Sequence, residues 1–203
     1  GPRRRLAPGP RSLLVATEPY DLVTIELTSV WFAGSASLYS HEFYDLVRSR
    51  LTEGGVLQQW VQLHHIRRRE LATIVRTLRE TFPHVALFVG GAQGILVAGV
   101  HPLVASSARL AKLEESEALR KTLGGARLVD TLSELVTSEE DLDRFVKESE
   151  ADGGPIVSTD DNLYLEYATP KGNVLVYDSS LQDTLSLLDR YRTKDPRARH
   201  LVP

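Results

Sequence analysis

The chain has 203 residues and a mass of 22.6 kDa, with 24 basic against 27 acidic side chains and a formal net charge of -3. Hydrophobic residues at 42% and charged residues at 25% are ordinary for a globular protein, which excludes collagen-like, low-complexity and wholly disordered classes. A charge so near balance gives no global footprint for nucleic acid or an anionic membrane surface, and the absence of cysteine removes disulfides, thiolate nucleophiles and sulfur-based zinc sites.

No apolar stretch reaches the roughly 18 residues that span a bilayer, and the start lacks the apolar core of a signal peptide. The opening Gly1-Pro2 and the lack of any methionine read as a processed or excised piece, with further sequence expected upstream. Residues 1–19, rich in Arg, Pro and Gly as far as Pro10, are expected to be flexible.

Tyr20 to Glu26 is a short apolar run closed by an acid, the pattern of a buried strand that delivers a side chain to a sheet edge. Trp31 to Ser37 reads as a loop. From Ser40 to Leu51 the positions Phe43, Leu46, Val47 and Leu51 recur at helical spacing, with Ser40 as N-cap and Gly54-Gly55 closing the far end. Val56 to Leu63 is the next strand, and Glu70 to Phe82 a second amphipathic helix through Leu71, Ile74, Val75 and Leu78. Val85 to Val89 and Ile95 to Ala98 flank Gly90, Gly91 and Gly94 as a hairpin.

After His101-Pro102 the pattern turns helical, over Leu103 to Leu123 and Ser138 to Glu150, where Ser138 and Asp141 form an imperfect capping box. Gly153 to Asp161 is a loop leading into the strand-like Leu163 to Ala168, a last helix runs from Ser180 to Tyr191, and the tail from Lys194 is expected to fray. The division that results is a flexible start at 1–19, half of a doubly wound α/β sheet with an antiparallel edge hairpin at 20–100, a helical extension at 101–193, and a tail at 194–203.

Several side chains are placed to carry chemistry. Glu26 ends a strand where open α/β sheets hold their ligands, and a carboxylate there can accept a hydrogen bond from an amine or take its proton. A solvated strand end is the plainer alternative. Asp160 and Asp161, after a Gly-Gly-Pro loop, can clamp a cation, against the plainer reading of a capped loop. Trp31 and Tyr39 set rings in the loop beside Glu26, suited to an alkylammonium or else simply packed on the core. His41 and the His64-His65 pair have no metal-binding spacing, and adjacent histidines on a strand would point to opposite faces, so no metal site is expected. There is no Gly-x-Gly-x-x-Gly, no Walker A loop and no Gly-x-Ser-x-Gly elbow, which leaves kinases, P-loop proteins and α/β-hydrolases unsupported.

Tyr20 to Glu26, Trp31-Phe32-Ala33-Gly34, Leu38 to Tyr44, Leu51 to Val56 and Phe82-Pro83-His84-Val85 together resemble the C-terminal half of the spermidine synthase (polyamine aminopropyltransferase) family. Thr159-Asp160-Asp161, followed by Glu166 and Ala168-Thr169-Pro170, is similar to bacterial spermidine synthase-like proteins, many of them fused to a membrane-spanning segment. The resemblance implies a Rossmann-like methyltransferase fold and aminopropyl transfer from decarboxylated S-adenosylmethionine, as co-substrate, to putrescine or a related amine. It puts Glu26 at the place of the catalytic Asp, Ser29 at that of a second substrate-binding Asp, and Trp31, Tyr39, Gln59, Asp160 and Asp161 along the substrate site. It also implies polyamine and nucleoside substrates, no nucleic acid, no permanently bound cofactor, a homodimer, and a cytoplasmic setting with a membrane tether in the longer protein. The glycine-rich nucleotide loop and the ribose-binding acid would lie upstream. The alternatives are a non-catalytic domain that keeps the fold as a ligand- or partner-binding module, and a methyltransferase dependent on S-adenosylmethionine.

Overall fold

The computed structural model describes residues 11–15, 17–26 and 34–203. In chain order the elements are α1 (Arg11–Leu14), β1 (Tyr20–Ile25), α2 (His41–Arg50), β2 (Leu51–Gln62), α3 (Arg68–Thr81), β3 (His84–Gly90), β4 (Gln93–Gly99) and β5 (Ala105–Ser106). They continue with α4 (Ser107–Glu114), α5 (Glu117–Leu123), β6 (Leu135–Ser138), α6 (Glu139–Ser149), α7 (Tyr164–Ala168), α8 (Tyr177–Asp189), α9 (Pro196–His200) and β7 (Leu201–Val202).

The first unit, β1-α2-β2, follows from its sequence. Ser40 Oγ accepts from Phe43 N at 3.2 Å and so starts α2, Glu42 sits in its first turn, and Arg48 and Arg50 sit in its last, each favourable to the helix dipole. Phe43, Tyr44 and Val47 then fall on one buried face. The crossover makes β1 and β2 parallel, with Ile25 opposite Gln59. In α3, Leu71, Ile74, Val75 and Leu78 repeat at helical spacing and are fully buried, and Glu70 reaches back to accept from Arg67 N at 2.8 Å.

The main sheet has the order β1-β2-β4-β3-β6. β4 is antiparallel to both β2 and β3, so β1, β2 and β3 run the same way and the hairpin folds its second strand between β2 and β3. A two-residue turn at Gly91-Ala92 joins the hairpin, and Gly91 has φ +61°, the left-handed conformation such turns require. One sheet face carries Leu57, Gln59, Val61, Leu87, Leu96 and Ala98 into the core against α2 and α3, joined by Leu142 and Phe145 of α6 and Leu187 and Leu188 of α8. On the opposite face Leu22 is 53% exposed.

Several expectations are corrected. Gly54 and Gly55 do not end α2: Leu51 is already extended and opens β2, and Gly55 serves a close approach, since a Cβ there would stand 2.8 Å from Tyr20 O. Leu103 to Leu123 is not one helix, because it opens with β5 and Ser116 caps a new start at α5, its hydroxyl accepting from Leu119 N. The hairpin is not the sheet's edge: β6, unread in the sequence, pairs antiparallel with β3 beyond it. Ser138 precedes α6 but does not cap it, its hydroxyl being turned toward His200 and Thr193. The strand-like Leu163 to Ala168 is helical, because Asn162 Oδ1 accepts from Tyr164 N at 3.0 Å and turns the chain into α7.

Among the described residues before β1 and after α8, the structure holds more order than composition suggests. Leu13 of α1 is buried in the core. The last residues form α9 and β7, with β7 pairing parallel to β5 and His200 only 5% exposed. Tertiary contacts hold this polar segment, and side-chain periodicity carries no sign of them.

Candidate functional site

Glu26 follows directly on β1, exposed, at the carboxyl end of the parallel strands where an α/β sheet opens its crevice. Ser29 and Trp31 lie outside the described residues.

Behind Glu26, a buried polar network fixes the chain that leads into α2. Tyr39 Oη donates to Trp60 O at 3.0 Å, Gln59 Nε2 donates to Leu38 O at 3.0 Å, and Tyr44 Oη donates to Gln59 Oε1 at 2.7 Å. All three side chains are fully buried, and burial pushes both phenols well above their ordinary pKa, so they stay protonated donors. These bonds tie the turn at Ala36–Tyr39 to the middle of β2. Tyr39 and Gln59 therefore present no surface of their own and act as a support beneath the rim.

The loop with Asp160 and Asp161 is anchored on the start of α2. His41 N donates to Ser158 O at 2.9 Å, Asp160 N donates to Glu42 Oε2 at 3.0 Å, and Ser158 N donates to Thr77 Oγ1 of α3 at 2.9 Å. Inside the loop Thr159 and Asn162 cap each other: Asn162 N donates to Thr159 Oγ1 at 3.2 Å and Thr159 N donates to Asn162 Oδ1 at 3.3 Å. The capping thus falls to Thr and Asn, and Asp160 and Asp161 stay exposed. Because α2 begins at the end of the sheet where β1 finishes, Glu26, Glu42, Asp160 and Asp161 share one end of the fold. Such a rim suits a protonated amine. Glu42 was not singled out in the sequence, though an acid two places after a predicted N-cap was the available sign.

The histidines behave differently from expectation. His64 and His65 stand past the end of β2, not on it, and His65 has φ +56°. Their rings do not diverge: both contact Tyr177 of α8, with centroids 4.6 and 5.9 Å away. Burial, with the neighbouring His65, lowers the pKa of His64 and so favours its neutral ring. His41 instead pairs with Asp45 at 3.4 Å. Among the described residues no group of three or more His, Cys, Asp or Glu could hold a metal ion, and no helix is long and apolar enough to cross a membrane. The glycines at 90 and 91 turn a hairpin and open no helix, so they form no phosphate cradle.

No protein-family model matches the chain. It is 34% identical over 70 residues to a polyamine aminopropyltransferase of Korarchaeum cryptofilum, which is 34% of this chain and 22% of the relative. It is 38% identical over 68 residues to polyamine aminopropyltransferase 2 of Pseudomonas aeruginosa, 32% of this chain and 20% of that one. The chain therefore spans no more than 22% of the length of either curated relative. Among solved structures, a probable spermidine synthase from Corynebacterium glutamicum aligns with a TM-score of 0.46 at 14% identity, covering 76% of this chain and 53% of that one. Human methyltransferase-like protein 13 in complex with SAH aligns with a TM-score of 0.41 at 23% identity, covering 61% and 60%.

The parallel βαβ unit, the reversed strand set inside the sheet and the helices on its core face define an α/β protein with a mixed central sheet. Over about a third of its length the chain is similar to the two polyamine aminopropyltransferases.

Proposed function

We propose that this chain is the acceptor-binding part of a polyamine aminopropyltransferase. The observation that carries the reading is Glu26, exposed at the carboxyl end of β1, on the same end of the sheet as Asp160 and Asp161. The similarity to two polyamine aminopropyltransferases supports the same choice. In the reaction a neutral amine nitrogen attacks the aminopropyl carbon next to the sulfonium of decarboxylated S-adenosylmethionine. The acceptor ammonium first gives its proton to the Glu26 carboxylate; the C–N bond then forms as the C–S bond breaks, and the bonding pair passes to sulfur to give methylthioadenosine and a secondary ammonium product. Asp160 and Asp161 hold the distal ammonium, Ser29 and Trp31 are further acceptor-binding residues, and Tyr39 and Gln59 stiffen the chain that leads into α2. Putrescine is the expected acceptor, the nucleoside is held by the upstream half, and the working unit is a homodimer.

The rival reading, a domain that binds without reacting, draws on the burial of Tyr39 and Gln59, which leaves fewer side chains to face a substrate. Titration calorimetry of the longest native form with methylthioadenosine and putrescine, followed by an aminopropyl-transfer assay of wild type and Glu26→Gln, separates the two. Turnover in the wild type, cut by about 100-fold or more in the variant, supports the transferase. A folded protein that binds neither ligand supports the rival.

A further inference from the structure

The end of the sheet opposite Glu26 carries a cavity of about 300 Å³. His84, the first residue of β3, and Glu139, the first of α6, form one side of it; Pro102, Leu103 and Val104 form another, and Arg199 and His200 of α9 close it. None of these residues belongs to the rim described above.

The chemistry of the lining is selective. His84 Nδ1 lies 3.2 Å from Glu139 Oε1, and a carboxylate on one ring nitrogen fixes the orientation of the imidazole. Glu139 is held with φ +49°, a left-handed backbone uncommon for a side chain of its kind, and Arg79 lies 4.0 Å from its other oxygen. The Glu139 carboxylate is thus engaged from both sides. Arg199 is different. Its nearest acid, Asp141, is 3.6 Å away, beyond good hydrogen-bond length, and the guanidinium carries five donors. The rest of the wall is apolar and fixed in advance: His200 Nδ1 bonds Leu103 O at 2.7 Å and its Nε2 meets Ser138 Oγ at 2.8 Å, so the ring is locked between β6 and the segment before β5. A preformed, mostly apolar pocket with a few converging polar groups is the ordinary form of a small-ligand site.

We propose that this cavity binds a small monocarboxylate with an apolar body. The carboxylate takes the Arg199 guanidinium, and the body lies on Pro102, Leu103 and Val104 beside the His84 ring. At ~30 Å³ for each water-sized group, the volume admits about ten non-hydrogen atoms. Because α9 supplies one wall and leads directly into β7, the ligand also holds the C-terminal segment in place.

Benzoate fits that size, and benzamide is its uncharged counterpart. Titrated into the 203-residue chain and followed by NMR, benzoate is expected to give saturable shifts at His84, Leu103, Val104 and Arg199 and to slow hydrogen exchange at Leu201 and Val202. Benzamide is expected to bind about tenfold more weakly, and Arg199→Gln to bring benzoate down to the benzamide level while leaving the thermal midpoint unchanged. Equal binding of the two probes, benzoate affinity that survives Arg199→Gln, or no saturable shift at millimolar benzoate overturns the proposal. None of these readouts depends on aminopropyl transfer.

Discussion

Tyr44 and Gln59 meet through a 2.7 Å hydrogen bond between two side chains with no solvent exposure, one from α2 and one from the middle of β2. Gln59 passes the constraint on to Leu38, so a single amide joins helix, strand and the turn that precedes the helix. Removing the phenolic oxygen leaves Gln59 Oε1 buried without its donor. Tyr44→Phe is expected to cost about 1–3 kcal/mol, seen as a lower urea midpoint at an unchanged slope. An unchanged midpoint would show that the bond contributes nothing.

Neighbouring glycines in β2 should respond in opposite ways. A Cβ on Gly55 would meet Tyr20 O at 2.8 Å and two Leu51 side-chain atoms at 3.1 Å, whereas one on Gly54 meets nothing within 4 Å. Gly55→Ala has to push β1 away from β2 and is expected to lose about 1–3 kcal/mol. Gly54→Ala should stay within ~0.5 kcal/mol of wild type. Thermal melts of the pair decide the matter, and equal midpoints would mean that β1 yields freely.

What the sequence made legible, and what it hid, divides along physical lines. The helices α2 and α3 and the β3–β4 hairpin were readable because Phe43-Val47, Leu71-Ile74-Val75-Leu78 and Gly91 each carry a local rule: period, cap or turn geometry. The strand β6 was hidden because Leu135 to Ser138 runs straight into a helix start, and only its partner β3 makes those residues a strand. The last ten residues were misread for the same reason, since the bonds of His200 reach Leu103 and Ser138, far away in sequence. At the candidate site, the strand-end position of Glu26 follows from chain order alone. The burial of Tyr39 and Gln59 does not, because alternation tells which face a side chain takes and not what lies over it.

The pair Arg76 and Glu150 bolts α6 onto α3. Arg76 Nε and Nη2 donate to the two Glu150 oxygens at 2.8 and 2.6 Å, and the acid is 12% exposed. That geometry is a bidentate fork in a partly buried setting, which raises the Arg76 pKa above its ordinary value. Arg76→Lys keeps the charge but loses the fork, and is expected to destabilise by about 1–2 kcal/mol with little dependence on salt. A double-mutant cycle with Glu150→Gln isolates the term, and a coupling energy near zero would contradict it.

Acid should loosen the contact between the β2–α3 loop and α8. His64 has its pKa lowered in the folded chain from the ordinary 6.5, first by burial and then by His65. The unfolded chain therefore binds more protons as the pH falls through about 6.5, so this contribution is present above that value and is lost below it. The thermal midpoint should drop between about pH 7 and pH 5.5, and His64→Gln should flatten that drop. Parallel pH profiles for the two proteins would remove His64 as the cause.

One pairing has a consequence for the order in which the molecule can be made. Ser106 Oγ donates to Pro203 O across 97 positions, and β5 has no strand partner until Leu201 and Val202 exist. During synthesis, the sheet from β1 to β4 can close on contacts already outside the ribosome, while Ala105 and Ser106 must wait until Leu201 and Val202 have been made. The β5–β7 pair is therefore a late step of assembly, set by loop closure rather than by any weakness of the neighbouring helices.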